Sequence, residues 1–302
     1  MQASNGNTRI QTAPDGTRIR IGCWPIPGEP AGTVILVHGR TEFLEKYTEV
    51  ISELNHRHLD VWSMDWRGQG LSDRALRNRE KGHIDCFDTY LGDLSWFVGE
   101  VVEAKSKPVI LLAHSMGGHI AIRSVLEGSL DPDGLIVTAP MIALPIGQIG
   151  SLAAATFSRT MSCLGFDTHY GPGMADYDIA QVCFDGNTLT GDRDRFYRTC
   201  QMLADAPDLA VGGVTWGWIS AAFLSMGKIQ RLSKHVQPSC PALICTPMED
   251  RVVSTEAQSA LSVAVEGWNQ VRFDGARHEL LMETDNIRNR FWPIFDEFVA
   301  PL

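Results

Sequence analysis

Three residues in this 302-residue chain sit where acyl-transfer chemistry could be done, although they lie far apart in the sequence: a serine, a histidine and a carboxylate. The apolar run Val109-Ile110-Leu111-Leu112-Ala113 leads into His114-Ser115-Met116-Gly117-Gly118, and a helical pattern follows. A strand, tight turn and helix in that order form the elbow that lifts a serine hydroxyl out of the backbone. A hydroxyl is a weak nucleophile at neutral pH, so Ser115 needs a base within reach and backbone N–H groups facing the developing oxyanion. Small residues at Ala113 and Gly117 permit the turn.

The base is read from the loop Asp274-Gly275-Ala276-Arg277-His278-Glu279, which follows a short strand-like run. None of the other eight histidines has a comparable setting: His114 and His119 flank the elbow too closely to reach Ser115 well, and His38 reads as a structural partner in its own loop. For the acid that orients His278, three carboxylates stand near strand ends: Glu249, Asp250 and Asp274. The run Val34-Ile35-Leu36-Val37 ends in His38-Gly39-Arg40-Thr41-Glu42. Gly39 allows a sharp turn there, which would aim the Arg40 amide into the site beside the amide of Met116. The Arg40 side chain would either meet a polar or anionic part of a substrate or pair with Glu42 or Glu45.

These groups meet only if the elements between them bring their loops together. Short runs rich in β-branched residues occur at 33–37, 59–64, 108–113, 134–138, 241–246 and 270–273. Amphipathic stretches at 42–57, 87–105, 117–127 and 256–266 separate them, and 285–299 reads as a closing helix. Such alternation implies a mostly parallel, doubly wound α/β sheet whose strand ends line one crevice. Residues 17–24 alternate with period two and predict an antiparallel strand ahead of the parallel set. The rhythm breaks after Pro140, so residues 1–139 and 238–302 read as two parts of one core, with 140–237 inserted as a helical cap.

Composition narrows the function classes. A net charge of -10 without any Lys/Arg run argues against a nucleic-acid partner. Seven scattered cysteines, odd in number, read as buried thiols in a reducing compartment. A polar start and no run of eighteen apolar residues predict a cytoplasmic protein that does not span a membrane. No metal-ligand spacing and no dinucleotide fingerprint occurs, so neither metal nor cofactor is expected. The glycines of Asp65-Trp66-Arg67-Gly68-Gln69-Gly70-Leu71-Ser72 lack the Lys-Ser/Thr ending of a phosphate loop. That segment reads as scaffold, with Asp65 and Arg67 fixing neighbouring loops. In the inserted stretch Met141, Trp216 and Trp218 are candidate substrate contacts, together with Phe157, Met161, Phe166, Met174, Phe223 and Met226.

Taken together, the oxyanion-loop, turn, elbow and His278 motifs, with Glu249-Asp250-Arg251-Val252-Val253, resemble the lysophospholipase and monoacylglycerol lipase group of α/β hydrolases, in particular the lysophospholipase L2-like proteins. The order nucleophile, acid, base is the one associated with that fold. Leu189-Thr190-Gly191-Asp192-Arg193 and Thr215-Trp216-Gly217-Trp218 add narrower likenesses inside the cap. The resemblance favours Asp250 over Glu249 and Asp274. It implies hydrolysis of a carboxylic ester of a monoacyl lipid or other small-molecule ester through an acyl-enzyme on Ser115, with backbone donors at Arg40 and Met116. Relatives of similar outline include serine aminopeptidases and short-chain esterases. An aminopeptidase would need cap carboxylates for a substrate ammonium, for which Asp176, Asp178, Asp185 and Asp192 are candidates. A non-catalytic binder of the same fold is the least favoured reading.

Overall fold

In the computed structural model, residues 6–103 and 107–302 are described, and the expected apolar runs become strands β3 (Gly32–Val37), β4 (Leu59–Met64), β5 (Val109–His114), β6 (Gly134–Thr138), β7 (Ala242–Pro247) and β8 (Trp268–Phe273). β3, β4, β6 and β7 are buried along their whole length, which is why they read as continuous apolar runs and not as alternating ones. β2 (Arg18–Trp24) pairs antiparallel with β4, as the period-two pattern predicts. β1 (Asn7–Thr12) pairs antiparallel with β2 and carries no such signal, since all six residues are exposed; backbone pairing holds it, together with Arg9 over the Trp62 ring. The strand order is β1-β2-β4-β3-β5-β6-β7-β8, and every pair from β4 to β8 is parallel.

Successive strand residues pack to opposite faces, as the pleat requires. Val34 and Leu36 pack with residues of α1 (Thr48–His56) and α8 (Asp285–Val299). Ile35 and Val37 join the cluster of α2 (Phe87–Trp96), α3 (Ser115–Leu126) and α7 (Thr255–Ala264). The helix expected over 87–105 stops early: α2 ends at Trp96, a wider five-residue turn spans Phe97–Val101, and residues 104 and 105 lie outside the described residues. Between β6 and β7 the chain forms α4 (Gly147–Met161), α5 (Arg193–Asp205) and α6 (Trp216–Leu232). α6 buries Trp218, Ala221, Met226 and Ile229 in the same cluster as α3. No helix among the described residues is long and apolar enough to cross a membrane.

The expectation of buried thiols needs correction. Cys86, Cys163 and Cys183 are exposed, Cys23 and Cys200 are partly buried, and only Cys240 and Cys245 are buried. The exposed three lie at the start of α2, after α4 and in the loop before α5, where the chain runs over the surface.

α5 is tied to the core by charge. Arg195 donates to Glu49 of α1 at 2.5 and 2.9 Å and to Asp285 of α8 at 2.6 Å, and Arg288 also pairs with Glu49. Partial burial alone would raise the Glu49 pKa, but the Arg195 hydrogen bond and the Arg288 charge outweigh it and hold the carboxyl at about 2. A depressed carboxylate stabilises the fold fully above its unfolded pKa and loses that contribution as pH falls through the folded value. Urea denaturation of Glu49→Gln should therefore show a loss of about 1–2 kcal/mol at pH 7, after discounting for solvent screening, and the gap from wild type should close between pH 4.5 and 2. A gap that stays constant across this window would refute the linkage. Burial depresses His114 and His119 to about 4. Both must be neutral in the fold, so their contribution falls in a higher window, between pH 6.5 and 4, and the two effects separate.

Candidate active site

The elbow places Ser115 at φ 51°, a left-handed conformation that a non-glycine residue holds only when its surroundings enforce it. Gly117 makes the close approach possible: a Cβ there would lie 2.5 Å from the His38 carbonyl oxygen and 2.8 Å from that of Val37. The N-terminus of α3 thus abuts the end of β3, and the amide of Met116, in the first helical turn, has no intrahelical acceptor.

Across from it, the 38–42 loop is held by side chains from several elements. Gly39 N donates to Glu42 Oε2 at 2.5 Å, Thr41 N to Gln69 Oε1 at 2.5 Å, and Trp66 Nε1 to the His38 carbonyl at 2.8 Å. The Arg40 amide has no acceptor among the described residues. Two backbone N–H groups are thereby left free beside Ser115. Asp65 and Arg67 serve as the scaffold expected of them: Asp65 accepts from Arg20 Nε at 2.6 Å and from the amides of Leu44 and Leu71, and Arg67 pairs with Asp93 and Asp15.

The ends of β7 and β8 deliver the remaining two groups. His278 Nε2 lies 2.9 Å from Ser115 Oγ, and His278 Nδ1 lies 2.7 Å from Asp250 Oδ2. Asp250 Oδ1 accepts from the amides of Val252 and Val253 at 2.7 and 3.1 Å, so the carboxylate is fixed and its side chain fully buried. Glu249 and Asp274 are exposed and do not approach the imidazole. The His114 ring is 5.0 Å from that of His278 but bonds through Nδ1 to Thr138, and it stays neutral at pH 7 because burial holds its pKa near 4.

Two sets of contacts escaped the sequence reading. Lys46 is buried between Glu42 and Glu279, with Nζ 2.7 Å from Glu42 Oε1 and 2.6 Å from Glu279 Oε1. It links the 38–42 loop to the residue after His278. Burial opposes the Lys46 charge, but the two carboxylates outweigh it and raise its pKa. Burial and Glu42 push Glu279 up, whereas Glu42, despite burial, is lowered by Lys46, His114 and His38. The Glu42-to-Lys46 spacing of four was the available signal. The second set is a clasp from the inserted stretch: Glu279 N donates to the Leu189 carbonyl at 2.7 Å, Thr190 Oγ1 to the Met282 carbonyl at 2.8 Å, and Arg277 Nη1 to the Thr190 carbonyl at 2.9 Å. The buried Glu283 accepts from the amides of Gly191 and Arg277.

A cavity of about 420 Å³ opens beside these loops, with Arg40, Thr41, Lys46 and Glu279 on one side and Met174, Tyr177, Phe196 and Leu203 on the other. Met141, Trp216 and Trp218 are not in its wall. Met141 N donates to the Ser115 carbonyl, Trp218 packs edge-on against Phe87, and Trp216 packs against Phe157. Of the wider set of candidates only Met174 lines the cavity. Ser115, 8% exposed, and His278, 5%, are not in its wall either, although Glu279, the residue after His278, is. The pairing of Arg40 with Glu42 or Glu45 does not form: Glu42 is taken by Lys46 and Glu45 by Arg20. His83, Asp85 and Asp167 bring ligand-capable atoms within 4.8 Å of one another, a grouping that local sequence spacing does not reveal.

A family model described as serine aminopeptidase, S33, matches residues 28–285. Lysophospholipase L2 of Escherichia coli (strain K12) is 31% identical over 264 residues, 85% of this chain and 76% of that protein. The probable lysophospholipase L2 of Haemophilus influenzae is 27% identical over 268 residues, 88% and 83% of the two chains. Among solved structures, a soluble variant of monoglyceride lipase from Saccharomyces cerevisiae in complex with a substrate analog superposes with a TM-score of 0.74 at 16% identity, covering 99% of this chain and 97% of that one. A carboxyl esterase from Bacillus coagulans gives a TM-score of 0.76 at 17% identity, covering 100% and 99%. At such identities these two likenesses concern the fold alone.

Proposed function

Because the chain belongs to the serine aminopeptidase S33 family and carries the α/β-hydrolase fold, we propose that it is a carboxylic ester hydrolase acting on a monoacyl lipid, a lysophospholipid or a monoacylglycerol, through an acyl-enzyme on Ser115. The observation that carries this reading is the unbroken relay from Asp250 through His278 to Ser115, at 2.7 and 2.9 Å. The relatives named lysophospholipase L2 support the substrate class.

In the first half-reaction Ser115 Oγ attacks the ester carbonyl carbon while His278 Nε2 takes its proton. The oxyanion receives the Arg40 and Met116 amides. Collapse of the tetrahedral intermediate breaks the carbon–oxygen ester bond, and His278 returns the proton to the departing alcohol. Water, deprotonated by the same imidazole, then attacks the acyl-enzyme and releases the fatty acid, restoring Ser115. Asp250 holds Nδ1–H and stabilises the imidazolium throughout.

Residues 140–237 act in this reading as the cap, with the clasp at Leu189 and Thr190 holding the His278 loop in register. The free thiols of Cys86, Cys163, Cys183, Cys200, Cys240 and Cys245 fit a cytoplasmic, reducing setting. An amide-hydrolase reading is favoured by the family description and by Asp176 and Asp178 in the cavity wall. The carboxylates it would use are otherwise engaged, however: Asp176 by Tyr170 and Asn78, Asp178 by Ala180 N and Gln181, Asp185 by Arg193, and Asp192 by Arg195.

The test is hydrolysis by the purified protein of p-nitrophenyl esters, lysophospholipids, monoacylglycerols and aminoacyl p-nitroanilides, side by side. Turnover of monoacyl esters with little release from the anilides is the expected result. The reverse order would replace this reading with the peptidase one.

A further inference from the structure

The Arg40 side chain is a cation beside the site with no carboxylate partner among the described residues. Its Nη1 donates to the Gly212 carbonyl at 2.9 Å, and its guanidinium carbon lies 6.0 Å from the centre of the Trp218 ring. No carboxylate among the described residues forms an ion pair with it. The acids around it are committed elsewhere: Glu42 and Glu279 to Lys46, Glu45 to Arg20, and Asp176 to Tyr170 and Asn78. Arg74 makes a useful contrast, for it too lacks a carboxylate partner but donates to four main-chain carbonyls, those of Gly68, Gly70, Asp208 and Ala210. A guanidinium has five donors, and Arg40 spends one. Burial pushes its pKa below the ordinary value. A charge that is largely out of water, without an ion-pair partner and on a residue that lines a cavity is poised for a ligand of opposite sign.

We propose that the Arg40 guanidinium is the receptor for a phosphate group on the substrate, and that it makes a lysophospholipid, in preference to an uncharged monoacylglycerol, the ester this site selects. The inference rests on the ester-hydrolase reading of Ser115. One residue then reads two parts of the molecule: its amide faces the ester carbonyl oxygen and its side chain faces the head group, the glycerol unit spanning the distance between them. The fork of parallel N–H donors suits two phosphate oxygens. A fatty-acid carboxylate is a poorer fit, because its charge sits at the oxyanion position with no spacer to reach the side chain. Arg40 does not touch the bond that breaks through its side chain, so the effect belongs to selectivity.

The experiment compares kcat/KM for a lysophosphatidylglycerol and a monoacylglycerol of the same acyl chain, in wild type, Arg40→Lys and Arg40→Gln. The quantity read is the ratio of the two substrates within each protein, in which any disturbance of the oxyanion loop cancels. Wild type should favour the phospholipid, and Arg40→Gln should cut the ratio about ten- to a hundredfold, the worth of a hydrogen bond to a charged group. Arg40→Lys should fall between. A second measurement needs no variant: octyl phosphate should inhibit wild-type p-nitrophenyl butyrate hydrolysis at least tenfold more tightly than octanol does, and more tightly than inorganic phosphate, which lacks the chain. A wild-type ratio at or below one, an unchanged ratio in Arg40→Gln, or equal inhibition by octyl phosphate and octanol would each overturn the assignment while leaving ester hydrolysis intact. Failure of wild type to hydrolyse any ester would instead remove the parent reading, and this one with it.

Discussion

Ser115→Ala should lower kcat/KM toward p-nitrophenyl esters and monoacyl lipids by about 10⁴- to 10⁶-fold, the range expected when the nucleophile of such a relay is removed. Little else should change. The hydroxyl makes one hydrogen bond, to His278 Nε2, and alanine at φ 51° carries the same backbone strain as serine, so the elbow geometry is retained. The variant should melt close to wild type and lose covalent labelling by a fluorophosphonate probe. Turnover within tenfold of wild type would exclude an acyl-enzyme on Ser115, whatever the substrate proves to be.

Asp250→Asn should cost about 10⁴-fold in kcat, and the local hydrogen bonds say why. Asp250 Oδ1 accepts from two amides, Val252 and Val253, while Oδ2 faces His278 Nδ1. An asparagine must keep its carbonyl oxygen toward those two donors, which turns its NH₂ toward Nδ1. The imidazole then carries its hydrogen on Nε2, the atom that has to receive the serine proton. Steric volume is almost unchanged, so the loss is one of tautomer and not of folding. Glu249→Gln supplies the control: its carboxylate is exposed, and its kcat should stay within twofold of wild type. Should the two variants exchange phenotypes, Asp250 would have to give up the orienting role.

The site was unevenly legible in the sequence. The elbow could be read because its requirements are local: an apolar run, a serine between small residues and a helix onset all fall within ten positions around Ser115. The parallel strands were legible for a similar reason, since burial on both faces leaves continuous apolar runs such as Gly32–Val37. β1 was not, because an exposed edge strand is recruited by backbone pairing and leaves no side-chain pattern. The three carboxylates near His278 looked alike in sequence, and a resemblance had to choose among them. What distinguishes Asp250 is that its two neighbouring amides fold back onto Oδ1, a contact set by turn geometry.

Arg40 shows the same limit. Its sequence neighbours Glu42 and Glu45 suggested an ion pair, yet each is claimed by a cation elsewhere, Lys46 and Arg20, leaving the guanidinium to the cavity. The cavity wall, too, went to residues other than the tryptophans first favoured, because α6 turns Trp218 into the core against Phe87. By itself the sequence determined the chemistry available, the strand and helix rhythm and the order of the reacting groups, since these depend on residue type and short-range periodicity. Only the tertiary structure decided which charges compensate one another and which remain free, because a buried side chain chooses its partner by distance in space, and partners such as Lys46 and Glu279 lie more than two hundred residues apart.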